Sequence, residues 1–198
     1  AEDQIFFVGN TMIDTLLKQR PNFMQPKVWE DLNLSEKNYI VMTLHRPANV
    51  DEESQLKDMI DEITANTQDL PLVFPVHPRT AKIIKELNFE HSRLHMVEPL
   101  SYLEFNYLVE RAKAVITDSG GITEETSVLR VPCLTLRDNT ERPETITLGT
   151  NELVGTNPNN IKPYLDELVN GNWKKGQDIP LWEGKAAERI VSILIDLK

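Results

Sequence analysis

Short apolar runs rich in β-branched residues alternate along the chain with longer segments whose apolar residues recur every third or fourth position. A short apolar run bounded by turn formers is the pattern of a buried strand, and the longer period is that of a helix with one buried face. The runs predict strands at Tyr39–Leu44, Leu72–Val76, Leu94–Val97, Ala114–Thr117, Cys133–Leu136 and Glu152–Val154. The segments around and between them predict helices at Asn10–Gln19, Glu52–Asn66, Ala81–Leu87, Tyr102–Arg111, Ile122–Arg130, Ile161–Asn170 and Lys185–Asp196. Continuous apolar strands separated by helices imply an α/β domain, a parallel sheet covered on both faces. Boundary residues agree. Ser101 with Glu104 three positions on is a capping box opening the Tyr102 helix, and Asn170-Gly171 closes the Ile161 helix. Pro71, Pro99 and Pro132 punctuate the strand approaches, and Gly171–Pro180 reads as polar and loose. No internal repeat or long linker divides the chain.

Composition narrows what such a domain does. The 198 residues make one domain at roughly 100–200 residues each. Hydrophobic and charged fractions of 40% and 26% are those of a soluble globular protein. Lys plus Arg is 21 against 31 Asp plus Glu, a net charge of −10, which argues against a nucleic-acid backbone as partner. An anionic ligand must then be held by local devices against the overall field. The single cysteine, Cys133, excludes an intrachain disulfide and a Cys-rich metal site and fits a reducing compartment. Ala1–Arg20 holds no apolar run long enough for a signal peptide or membrane span, so the cytoplasm is expected. The chain opens at Ala1 and reaches Ile5-Phe6-Phe7-Val8 almost at once, which reads as a cut inside a longer protein.

In an open parallel sheet, ligands bind beyond the carboxyl ends of the strands. Here those ends run into His45-Arg46-Pro47, His77-Pro78-Arg79, Glu98-Pro99, Asp118-Ser119-Gly120-Gly121 and Arg137-Asp138-Asn139-Thr140-Glu141-Arg142, whereas the opposite ends carry ordinary turns. The Asp118 stretch is the most informative. A strand end, two glycines and a helix start present free N–H groups to a phosphate, with Asp118 or Ser119 as a plain N-cap the alternative. It is neither a Walker loop nor a Gly-x-Gly-x-x-Gly dinucleotide turn. Glu125, one helical turn in, could accept hydrogen bonds from a ribose diol, or merely complement the helix dipole. His45 and His77 follow neighbouring strands, each near an arginine, where a histidine serves a phosphate or moves a proton. No third ligand at metal-site spacing accompanies them, and His91 and His95 read as surface residues. Arg137, Arg142, Glu141 and Glu144 crowd one loop, either as a diphosphate clamp or as a solvated charged loop. Phe105, at helical spacing, reads as core.

The runs Thr43-Leu44-His45-Arg46-Pro47-Ala48-Asn49-Val50-Asp51, Pro75-Val76-His77-Pro78, Thr117-Asp118-Ser119-Gly120-Gly121-Ile122-Thr123-Glu124-Glu125 and Asp138-Asn139-Thr140-Glu141-Arg142-Pro143-Glu144 closely resemble the UDP-N-acetylglucosamine 2-epimerase family. The closing Leu181-Trp182-Glu183-Gly184-Lys185-Ala186-Ala187-Glu188-Arg189-Ile190 resembles its C-terminal helix. The resemblance implies a GT-B fold, two Rossmann-like halves facing across a cleft, of which this chain is similar to the second only. Val8-Gly9-Asn10 with Ile13-Asp14 resembles the segment that opens that half, so the N-terminal half is expected to be absent here.

Residue by residue, the resemblance implies that Leu100 and Phe105 flank the uracil, against the plain-core reading of Phe105. Ser119, Gly120 and Gly121 match the diphosphate turn, Glu125 the ribose contact, and Arg142 a cation beside the nucleotide. His45 and Arg46 match the catalytic-cleft pair, and His77 a second cleft histidine. The implied reaction interconverts UDP-N-acetylglucosamine and UDP-N-acetylmannosamine through loss of UDP to 2-acetamidoglucal and its re-addition, with neither NAD nor a metal. The proton-moving carboxylates match the absent half, so the isolated chain is expected to be inactive, and the whole protein to be a homodimer. Many bacterial members carry Arg-Glu where this chain has Pro47-Ala48, which puts substrate-activated allostery in doubt. The alternatives are a hydrolysing relative, a GT-B glycosyltransferase half and a non-catalytic UDP-sugar-binding module. Such transferases carry a partner glutamate where this chain has Pro132 or Cys133.

Overall fold

The computed structural model describes residues 4–50, 52–76, 78–86 and 91–197. Six strands, β1 (Ile40–Thr43), β2 (Leu72–Pro75), β3 (Leu94–Val97), β4 (Ala114–Thr117), β5 (Cys133–Thr135) and β6 (Asn151–Leu153), form one sheet in the order β3-β2-β1-β4-β5-β6. Every pairing is parallel, and this is the strand order of the Rossmann fold. Each predicted strand is found: β3 and β4 with the predicted bounds, β1, β2 and β5 shortened by one or two residues, and β6 shifted one residue earlier.

The period of two along each strand sorts side chains onto opposite faces. Ile40, Met42, Phe74, Ile116 and Leu134 enter one core with the helices α4 (Glu53–Asn66), α5 (Pro78–Glu86) and α9 (Ile161–Val169). Tyr39, Val41, Val73, Val115 and Cys133 enter the other, under α1 (Thr11–Gln19), α6 (Tyr102–Arg111) and α7 (Gly120–Leu129). Burial on both faces is why these strands read as unbroken apolar runs. Burial also pushes the Cys133 thiol up to about 12, so it packs as a small apolar group.

Among the described residues, five short helices escaped the periodicity because each is too brief to show one: the 3₁₀ turns Arg20–Asn22 and Pro158–Asn160, α2 (Lys27–Asp31), α3 (Pro47–Val50) and α8 (Glu144–Thr147). The capping box at Ser101 and Glu104 is present, and Asn10 caps α1 by accepting from Met12 N–H at 2.9 Å. The last helix, α10 (Ala186–Asp196), lacks a side-chain cap of its own. Asp14 on α1 supplies one across the fold, accepting from Ala186 N–H at 3.0 Å and Ala187 N–H at 2.7 Å. The Gly171–Pro180 stretch is irregular but not loose. Trp173 donates through Nε1 to the Thr150 carbonyl at 2.7 Å, and Lys174 pairs with Glu152 at 2.8 Å. His95 lies within β3, half-buried on this edge strand rather than at its surface. Among the described residues, no helix is long and apolar enough to cross a membrane.

Candidate functional site

The strand order reverses direction between β1 and β4, and their register sets Thr43 beside Thr117 at the carboxyl edge, hydroxyls 2.7 Å apart. A crevice opens at such a reversal because the connections leaving the two strands run to opposite faces. The β1 end delivers His45 and Arg46 to this place, and the β4 end delivers Asp118 through Gly121. Both loops are tied together by Asp118, which is fully buried. Its Oδ2 accepts from Arg46 N–H at 2.8 Å, His45 N–H at 3.0 Å and Asn49 Nδ2 at 3.1 Å. Its Oδ1 lies 2.7 Å from His45 Nδ1, and its carbonyl accepts from Arg46 Nε at 3.0 Å. Asp118 is therefore not the N-cap that its position suggested.

Ser119 takes the N-cap position of α7 with extended backbone, and its side chain makes no capping bond. The first turn also carries no acidic residue, which leaves the N–H groups and the positive end of the dipole facing the crevice. Space is tight. A Cβ on Gly120 would come within 3.4 Å of Arg137 Nη1, and one on Gly121 within 3.1 Å of Met12 Cε. The glycines serve close approach here, since neither has a positive φ.

Glu125 is nearly buried, too deep to complement the helix dipole as a solvated carboxylate would. Desolvation raises its pKa, countered by hydrogen bonds from Tyr102, whose hydroxyl donates at 2.9 Å, and from Asn106. Tyr102 is joined on α6 by Phe105, half-buried against the core, with Leu100 just before the helix. Phe105 is thus packed against the core but only partly buried. Glu124, buried beside Glu125, accepts from Arg142 Nε at 2.6 Å and from Asn10 Nδ2 at 2.8 Å. That pairing raises the Arg142 pKa and fixes a half-exposed guanidinium near the start of α7.

The charged loop is largely exposed, as the solvated reading expected, but Arg137 at its start is buried. Arg137 is 4% exposed and forks onto Glu141 at 2.7 and 3.0 Å, holding the Glu141 carboxyl at about 2. Arg137 is therefore occupied, and Arg142 is the arginine of this loop that stands partly open. His77 lies outside the described residues, as do the side chains of Pro47 and Ala48. The other residues singled out from sequence, His45, Arg46, Leu100, Phe105, Ser119, Gly120, Gly121, Glu125 and Arg142, all lie on or just beyond the carboxyl edge. Sequence reasoning missed Asp118 as a fastener, along with Tyr102, Asn49 and the Glu124–Arg142 pair. Only the spacing of four between Arg137 and Glu141 gave a local signal for a pair. Among the described residues, no group of three or more His, Cys, Asp or Glu could hold a metal ion.

The sequence model of the UDP-N-acetylglucosamine 2-epimerase family matches residues 1–195. The chain belongs to this family. An epimerase of this name from Methanocaldococcus jannaschii is 38% identical over 98% of this chain and 55% of its own length. The Bacillus subtilis enzyme is 34% identical over 98% of this chain and 52% of its own. Among solved structures, the M. jannaschii UDP-GlcNAc 2-epimerase in complex with UDP-GlcNAc and UDP superposes with a TM-score of 0.81 over 99% of this chain and 56% of that one. A Staphylococcus aureus MnaA–UDP structure superposes with a TM-score of 0.83 at 28% identity, covering 100% of this chain and 55% of that one. The chain thus spans about half the length of the epimerases it matches.

Proposed function

We propose that this chain is the C-terminal, UDP-binding half of a UDP-N-acetylglucosamine 2-epimerase of GT-B architecture. The observation that carries this reading is the start of α7. An uncapped helix terminus with two close-packed glycines lies at the sheet's switch point, flanked by a buried carboxylate on one side and a fixed arginine on the other. The relatives solved with UDP or UDP-GlcNAc support the ligand.

On this reading the diphosphate rests on the N–H groups of Ser119, Gly120 and Gly121, and Glu125 accepts from the ribose hydroxyls. Leu100 and Phe105 flank the uracil, and Arg142 neutralises the nucleotide from the side. His45 and Arg46 face the sugar end, with His77 as a second cleft histidine. In the forward step the proton leaves C2 and the C1–O bond breaks, its electron pair departing with UDP to give 2-acetamidoglucal. Re-addition of UDP at C1 with protonation of C2 from the other face completes the epimerisation. The developing negative charge on UDP falls where the α7 terminus, His45 and Arg142 converge, and groups already oriented there lower the barrier. No step calls for NAD or a metal.

The carboxylates that move the C2 proton belong to the other half of the cleft, so this chain alone lacks turnover. The whole protein is read as a cytoplasmic homodimer. Membership of the epimerase family argues against the transferase alternative. Calorimetric titration with UDP, with ADP and a Glu125→Ala variant as controls, tests the reading. Saturable UDP binding that the variant weakens supports it, and equal affinity for ADP or indifference to the variant overturns it.

A further inference from the structure

His45 is poorly anchored by its own position. It follows β1 in a loop, and its side chain is 61% exposed. Behind it stands Asp118, whose carboxylate divides its two oxygens between two tasks. Oδ2 gathers the N–H groups of His45 and Arg46 and the side-chain amide of Asn49 at 2.8–3.1 Å. Oδ1 faces His45 Nδ1 at 2.7 Å and takes a longer bond from His45 N–H at 3.2 Å. The other partners of this carboxylate, the two backbone N–H groups and the Asn49 amide, are all donors, and a carboxylate is an acceptor only. His45 Nδ1 must therefore carry a hydrogen, and in the neutral ring the lone pair falls on Nε2. Nε2 lies across the ring from Nδ1 and its carboxylate, on a side chain that is mostly exposed.

We propose that Asp118 is the positioning residue of this site. It locks His45 in the Nδ1–H form and turns Nε2 to the diphosphate. When the histidine meets that anion, Nε2 carries the proton and Asp118 balances the charge of the ring. Nε2–H then donates a hydrogen bond to the phosphate oxygen that receives the electron pair of the broken C1–O bond. The same residue aims Arg46, whose Nε donates to the Asp118 carbonyl at 3.0 Å. One buried side chain thus orders both members of the cleft pair, and this inference rests on their reading as cleft residues. Its cost in other enzymes is large: exchanging the aspartate behind a catalytic histidine for asparagine leaves the wrong tautomer and lowers turnover about 10⁴-fold.

Asp118→Asn is a clean test because the geometry dictates how the amide sits. Its oxygen must replace Oδ2, where three donors converge, so its NH₂ replaces Oδ1 against His45 Nδ1. A donor there forces the hydrogen to Nε2. With histidine nitrogens labelled in ¹⁵N and the His45 resonances assigned through a His45→Gln variant, the tautomer is read directly by NMR above the titration range of imidazole. The wild-type chain is expected to favour Nδ1–H at least about tenfold, the ratio one charge-assisted hydrogen bond commands. Asp118→Asn is expected to reverse it. A merely structural role for Asp118 would lower thermal stability without reversing the tautomer. Nε2–H in the wild-type chain overturns the proposal whether or not the variant folds, as does an unchanged tautomer in a folded variant. Addition of UDP to the wild-type chain is expected to move the Nε2 resonance toward its protonated position. UDP that binds by calorimetry without moving it removes the diphosphate role from His45. Failure of UDP to bind at all removes the nucleotide reading, and that role with it, while the tautomer result stands on its own.

Discussion

Glu124→Gln changes one atom and exposes how tightly the start of α7 is tied to the segment before α1. The wild-type carboxylate is almost buried and uses both oxygens: Oε1 for Arg142 Nε at 2.6 Å, Oε2 for Asn10 Nδ2 at 2.8 Å. In the glutamine variant one oxygen becomes an NH₂ group. If the remaining oxygen keeps Arg142, the new NH₂ confronts the Asn10 NH₂. Rotating the Asn10 amide is no escape, because Asn10 Oδ1 caps α1 through Met12 N–H, a bond worth about 1 kcal/mol. That conflict therefore costs about 1 kcal/mol. The weakened bond to Arg142 adds less than about 1 kcal/mol, since the guanidinium is half exposed and water replaces part of what is lost. The sum is about 1–2 kcal/mol, or about 2–8 °C of melting temperature for a chain of this size. Thermal unfolding followed by circular dichroism reads it, and an Asn10→Ala background divides it: there Glu124→Gln should cost only the Arg142 part. A variant that melts within about 1 °C of wild type, or that loses as much in the Asn10→Ala background, refutes this account of the network.

Tyr39→Phe removes the hydroxyl that donates to the Leu108 carbonyl at 2.6 Å in the core, so a stability loss of about 1–3 kcal/mol is expected in urea unfolding. Gly149→Ala would drive a Cβ into the Thr145 carbonyl and the Ser127 side chain, and a loss of at least about 1–3 kcal/mol should appear in the same assay. Glu125 has a folded pKa raised by desolvation, so the folded state binds more protons than the unfolded chain once pH exceeds the ordinary glutamate value. Its carboxylate thus costs stability progressively as pH rises through that window and imposes no cost below it. Melting curves should show Glu125→Gln stabilising the chain at pH 7 and converging with wild type near pH 3, while UDP affinity falls. Assay of the 198-residue chain with UDP-N-acetylglucosamine should show turnover far below about 1 per second, the low end for enzymes.

The parallel sheet was legible because its strands are buried on both faces: Tyr39–Leu44 reads as one apolar run when alternate residues enter two cores. Strand order was not, since nothing local to Ile40 or Ala114 announces that β1 lies beside β4. The site follows the same division. Residue types at the strand ends marked His45, Ser119, Gly120, Gly121 and Glu125, because one edge of a parallel sheet collects ionisable groups. The partners that hold them in place were hidden, as Asp118 and His45 lie 73 positions apart, Tyr102 and Glu125 23, and Glu124 and Arg142 18. Asp118 shows the consequence most plainly. Its position beside Ser119 suggested a helix cap, and only the tertiary structure reveals that its bonds go to the other loop. Phe105 does pack against the core as its helical spacing suggested, but spacing marks an apolar face without saying how deeply each member of it is buried.

The most direct test of the central claim is to follow backbone amide resonances of the ¹⁵N-labelled chain while UDP is added. Saturable shifts concentrated at Ser119, Gly120, Gly121 and Ile122 at the start of α7, extending to Phe105 and Arg142, are expected. Shifts confined to another part of the surface, such as the groove beside Arg130 and Gln177–Glu183, would contradict the claim.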